Sequence, residues 1–157
     1  MSTSTSNKSD LPSDFQPRVS EGHDPDSVRR DSATLVSGEV RGAKQWRLTS
    51  DGKGLERVFR FKTFKATWDF MDDVAAKCKE ARHHPEWTNI YNKTHITWTT
   101  HSPSGLSSKD TVMARFCDEA GSKHGEVDPT SEQQREDEEL FRSRRMEAPD
   151  CCTRKTL

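Results

Sequence analysis

Two adjacent histidines, His83 and His84, stand directly before Pro85, and a third, His101, closes the next strand-like run. Neutral imidazole gives or takes a proton near pH 7, which Glu, Lys or Tyr does only after a substantial shift. Three such groups gathered at one place could protonate one atom of a small molecule and deprotonate another. Neighbouring side chains at a helix end cannot point the same way, so His83 and His84 would grip different edges of a ligand. The plainer reading is a solvated or capping pair and an ordinary strand-end histidine. Zinc is another use of three histidines, but no Cys or carboxylate stands beside them at ligand spacing, so no metal is expected.

The residues around the trio divide in the same way. Asp110 reads as the capping carboxylate of a helix that begins after Ser107, or as a neighbour of the His101 turn. Glu86 and Glu80 read as solvated charges. Trp87 could stack on a flat heterocycle or fill the core, and Tyr91 and Asn92 could serve strand and turn. His95 lies inside the strand pattern and reads as structural or as a pocket wall.

Elements that would position these groups can be read on both sides. Phe64, Trp68, Met71, Ala75 and Cys78 recur at three- and four-residue spacing, which predicts a helix over 64–81 with Thr63 as its cap. Pro85 pushes the residue before it out of the α region, so the helix ends near the histidines. Trp87–Tyr91 and Thr94–His101 read as two strands, with Ile96 and Trp98 on one face and His95, Thr97, Thr99 and His101 on the other. Upstream, Trp46–Thr49, the turn Asp51–Gly54 and a strand over Leu55–Phe61 make a hairpin. Downstream, Ser107 caps a helix of about a dozen residues with Val112, Met113, Phe116, Cys117 and Ala120 as its apolar stripe. Hairpin, helix, two strands and helix predict an α+β fold, a four-stranded antiparallel sheet with helices packed on one face.

Composition confines the core. The chain has 157 residues, 29% hydrophobic and 32% charged, which is too few apolar residues to pack its whole length. The four tryptophans and the only tyrosine fall between residues 46 and 98. Residues 46–124 are therefore expected to form the folded α+β domain that carries the histidine trio. Residues 1–45 are read as a mostly disordered extension with a weak helix near 27–37, and 125–157 as a charged, disordered tail in which Glu132 to Met146 could make a short exposed helix. A net charge of -1 argues against broad attraction to nucleic acid or an anionic membrane, and no apolar run approaches a membrane span. There is no apolar signal core, and Asp10 and Asp14 argue against an organellar presequence. Cys78 and Cys117 read as buried thiols; Cys151–Cys152 lacks zinc spacing, and a reducing intracellular home follows.

Phe59-Arg60-Phe61-Lys62-Thr63-Phe64, Ala75, His83-His84-Pro85-Glu86-Trp87-Thr88-Asn89-Ile90-Tyr91-Asn92, Thr100-His101, Gly105-Leu106-Ser107 and Asp110 together resemble the pterin-4a-carbinolamine dehydratase family. The resemblance runs from about Trp46 to Ala120. It implies a four-stranded antiparallel sheet with helices, assembling as a homodimer or homotetramer. It also implies dehydration of 4a-hydroxytetrahydropterin to quinonoid dihydropterin, which recycles the pterin after aromatic amino-acid hydroxylases have used it. The family's catalytic positions fall on His83, His84, His101 and Asp110, with no cofactor and no metal. His84 and His101 are the expected proton-transfer pair and His83 the residue that orients the pterin, with Glu86, Trp87 and Ser102 as further substrate contacts. Lys79 stands where an acid is expected four residues before His83, and Ser102 where an acid often follows the Thr-His pair. Some animal relatives also stabilise a dimeric transcription factor through helix surfaces. The alternative reading is thus a non-catalytic dimerisation or transcription-cofactor-type protein with a protein partner. A cytoplasmic location, extending to the nucleus, is expected.

Overall fold

Alternating apolar residues on two long strands and an apolar stripe on each of three helices bury one another in this computed structural model, which describes residues 11–38 and 46–147. The first compact unit contains α1 (Pro25–Ser37), β1 (Arg47–Leu48), β2 (Gly54–Arg60), α2 (Phe64–Ala81), β3 (Glu86–Ile90), β4 (Lys93–His101), β5 (Ser104–Gly105) and α3 (Ser108–Lys123). The sheet is antiparallel in the order β1-β2-β4-β3, and the two-residue β5 adds to the end of β4. This makes five strands among the described residues, one more than the alternation predicts. Two residues are too few to show a period.

Register decides which face meets the helices. Leu55 lies opposite Trp98 and Arg57 opposite Ile96, so Leu55, Arg57, Phe59, Ile96 and Trp98 share one face, and all are buried. On α2, Phe70 packs its ring 4.8 Å from Phe59 and 5.0 Å from Phe61. A Cβ at Gly121 of α3 would come within 3.1 Å of the Phe59 ring, so glycine lets that helix lie close to the sheet. Arg57, 1% exposed, is ion-paired to Asp118 and Glu126 and stacks over Phe59, and the Trp46 indole N–H donates to the same Asp118 at 2.8 Å. A buried charge needs such partners.

The helix caps are those the sequence signals. Thr63 accepts the Ala66 N–H at 3.0 Å, and Ser107 with Asp110 forms a reciprocal capping box. At the other end of α3, His124 and Lys123 bond to Asp73 of α2, holding its carboxyl below the usual range, the His124 hydrogen bond contributing most. Burial pushes the Cys117 thiol well above the ordinary range, and Cys78 is raised for the same reason.

The N-terminal region carries more structure than its side chains announce. α1 spans Pro25–Ser37, capped by Asp24, and buries Val28, Ser32, Leu35 and Val36. Ahead of it the chain runs as a strap across two loops. Arg18 N–H donates to Gly52 C=O, Leu106 N–H to Arg18 C=O, and Ser20 N–H to Leu106 C=O, each at 2.8 Å. Gly105 has φ +148, and a Cβ there would lie 2.6 Å from the Ser20 nitrogen. The strap therefore depends on glycine at that position.

The second unit holds α4 (Ser131–Glu147), in the charged stretch read as a mobile tail that could make a short exposed helix. Thr130 and Gln133 exchange backbone-to-side-chain bonds of 2.9 and 3.2 Å, a capping box that starts the helix. The Ser/Thr-rich opening and Cys151–Cys152 lie outside the described residues.

Candidate functional site

The site begins where α2 stops. Ala81 is the last helical residue, Arg82 takes the left-handed conformation (φ 52, ψ 41), and the Arg82 and His83 N–H groups both return to the Cys78 carbonyl. This is a Schellman-type closure. It fixes the His83 backbone before Pro85 and β3 take the chain away.

His83 is the least exposed member of the trio, with 11% of its side chain exposed. Its ring lies 5.7 Å from the Trp98 indole at 26° between planes. Its Nε2 is 2.6 Å from Asp110 Oδ1. Asp110 is fully buried at the third position of α3, and its Oδ2 accepts the Ser107 N–H and the Thr100 hydroxyl, each at 2.9 Å. Oδ2 thus caps the helix and takes the hydroxyl of Thr100, beside His101, while Oδ1 holds His83, a contact that neither reading of the spacing gave.

His84 and His101 face water. Their rings lie 6.3 Å apart at 25°, and His84 is 6.4 Å from His83. The histidines form a short row, and its far member comes from the end of β4. His101 Nε2 approaches Glu86 Oε1 at 3.6 Å, with both side chains more than half exposed. That is a screened contact rather than a hydrogen bond.

The remaining candidates separate. Glu86 sits at the row through His101, and Ser102 is exposed in the turn that follows it. Trp87 lies opposite Ile96 and packs, half-buried, against the core. His95 lies on the opposite face of the sheet, 2% exposed, with Nε2 3.2 Å from Glu56 Oε2, and does not join the trio. Glu80 bonds to Lys77 on the surface of α2. Asn92 donates to the Phe61 carbonyl at 2.9 Å, which ties down the β3–β4 turn, and Tyr91 is 64% exposed. Among the described residues no group of three or more His, Cys, Asp or Glu could hold a metal ion, and no helix is long and apolar enough to cross a membrane.

Sequence reasoning read Ser107 only as a helix cap and Trp98 only as part of a strand face, and gave Thr100 no role in the site. Alternation along β4 carried a signal, because Thr100 falls on the Trp98 face, toward α3. The arrangement offers one imidazole fixed by a buried carboxylate and two that can exchange protons with water. A planar polar molecule lying along the row would meet both kinds.

Residues 30–120 match the sequence profile of the family described as pterin 4 alpha carbinolamine dehydratase. A protein of Novosphingobium aromaticivorans, provisionally named a pterin-4-alpha-carbinolamine dehydratase, is 46% identical over 71 residues, which cover 45% of this chain and 74% of that one. A crystal structure from Brucella melitensis, titled transcriptional coactivator/pterin dehydratase, aligns with TM-score 0.49 and 32% identity over 54% of this chain and 89% of that one. A pterin dehydratase-like protein identified as a RuBisCO assembly factor in the alpha-carboxysome aligns with TM-score 0.44 and 23% identity, over 49% of this chain and 89% of that one.

Proposed function

The chain belongs to the pterin-4-alpha-carbinolamine dehydratase family, and on that footing we propose that it dehydrates 4a-hydroxytetrahydropterins to quinonoid dihydropterins. The observation that carries this reading is the row His83–His84–His101, with one end fixed to Asp110 and the other open to water. In the reaction the C4a–O bond breaks with its electron pair going to oxygen, and an imidazolium delivers the proton that makes the leaving group water. A ring N–H gives its proton to a neutral imidazole, and that nitrogen's electrons form the new C=N bond. Protons and electrons balance without an oxidant or reductant. His84 and His101 act as the proton-transfer pair, since exposed groups recover their starting protonation states from solvent. His83 orients the pterin, and Glu86, Trp87 and Ser102 border the ligand. The cycle returns a pterin cofactor to use in the cytoplasm.

The test is the rate of quinonoid dihydropterin formation from enzymatically generated 4a-hydroxytetrahydropterin. The intact chain is expected to exceed the spontaneous rate, and His84→Ala and His101→Ala each to lose at least about tenfold, a floor set below the roughly hundredfold low end for a general acid or base. An intact chain that adds nothing to the spontaneous rate refutes the proposal.

A second reading rests on exposed apolar side chains. Phe64 and Trp68 stack on the surface of α2 at 5.9 Å, each nearly half exposed, and Val112 of α3 is 55% exposed. Such surfaces suit a protein contact, including self-assembly into a dimer or tetramer. Sedimentation velocity on the intact chain and on Trp68→Glu tests it; a monomer in both cases removes it.

A further inference from the structure

From the hydrogen bonds behind His83 we infer that Thr100 and Ser107 are positioning residues that lock His83 as the Nε2–H tautomer, leaving Nδ1 as its only acceptor. The inference rests on the dehydratase reading for its consequence, though not for its geometry. Donor directions follow from what each group can do. The Ser107 N–H can only donate, and it donates to Asp110 Oδ2. The Thr100 hydroxyl donates to the same oxygen at 2.9 Å. Its one proton is then used, so in the 2.7 Å contact between Thr100 Oγ1 and Ser107 Oγ the serine must be the donor. Ser107 Oγ in turn accepts the Lys109 N–H at 3.2 Å. The chain runs one way, from the Lys109 N–H through Ser107 and Thr100 to Asp110.

With Oδ2 saturated by donors, the carboxylate presents Oδ1 to His83 as an acceptor at 2.6 Å. Neutral His83 must answer with Nε2–H, and stacking on Trp98 restrains the ring. Turning the ring over would put Nδ1 and its different geometry against Oδ1. The outer end of the relay is also held, because the strap bonds to Leu106 immediately before Ser107.

For catalysis this divides the trio. A neutral His83 offers the pterin a lone pair at Nδ1 and no proton, so it receives a ligand N–H or O–H. The proton for the departing hydroxyl must then come from His84 or His101. Thr100 touches no reacting atom and acts through Asp110 and His83.

Nitrogen-15 NMR of the imidazole rings, recorded above the titration of His83, reads the tautomer directly. We expect His83 to carry its proton on Nε2 in the intact chain and to show mixed tautomers in Thr100→Val. With substrate, Thr100→Val should raise KM by about fivefold, the size of one lost hydrogen bond, with a smaller change in kcat, and Thr100→Ser should restore both. A His83 protonated on Nδ1 in the intact chain overturns the inference, whether or not the valine variant folds. So does a folded Thr100→Val with unchanged tautomer and KM. An Nε2–H His83 in a chain without dehydratase activity would leave the lock standing and remove the proposed function instead.

Discussion

His83 and His101 carry the same side chain in the same short row, yet the protein surrounds them in opposite ways. His83 is 11% exposed, stacked on Trp98 and bonded to a buried carboxylate that has two further donors. His101 is 62% exposed and meets Glu86 at 3.6 Å. Burial and hydrogen bonding remove freedom, which suits recognition of one edge of a ligand. Exposure leaves protonation free to change, which suits a group that must pick up and release a proton in each cycle. The same contrast predicts that the two ends of the row fail differently when mutated.

The largest effect is expected at the buried end. Asp110→Asn keeps the shape but turns part of an acceptor into a donor among three donors, which costs about 2–3 kcal/mol in a buried site. Urea unfolding should show that loss together with a fall in activity, whereas a fully stable variant would mean the carboxylate is not what organises this end. At the open end, His84→Ala and His101→Ala should lose activity while unfolding within about 0.5 kcal/mol of the intact chain, as exposed sites do. Matching stability losses there would erase the contrast. Glu86→Gln is expected to change the rate less than about threefold, and less still in high salt, because its ion pair is solvated. A larger, salt-independent drop would make Glu86 part of the chemistry. The smallest effect is at the hinge between α2 and the histidines. Arg82 sits in the left-handed region, which costs a non-glycine residue about 1–2 kcal/mol, against about 0.5–1 for the freedom glycine would lose. Arg82→Gly should therefore stabilise slightly, by about 0.5 kcal/mol in chemical denaturation; a clear destabilisation would show that the arginine side chain holds the turn.

Much of this arrangement can be read before any coordinates. Helix 64–81 follows from its apolar spacing, and its observed limits are Phe64 and Ala81. Strand alternation sets Ile96 and Trp98 against the helices and His95 on the other side. Pro85 and the adjacent histidines mark the helix end, though adjacency alone does not say which ring turns inward. That depends on the Arg82 conformation and on Asp110, which is 27 residues beyond His83 and already explained by its capping box. The strap over Gly52 and Gly105 left no periodic trace, because, apart from the Ser20 hydroxyl on the Pro103 carbonyl, its bonds are made by backbone groups. α1 has the Asp24-Pro25 start signal but few apolar residues, and only packing shows how many of them it buries.

The most direct test of the account is a rate measurement on two proteins whose folds are matched by circular dichroism and unfolding midpoint. These are the intact chain and the double variant His84→Ala/His101→Ala, each supplied with freshly generated 4a-hydroxytetrahydropterin. The intact chain is expected to accelerate formation of the quinonoid dihydropterin, while the equally stable double variant gives the spontaneous rate. Equal acceleration by both, or none by the intact chain, would contradict it.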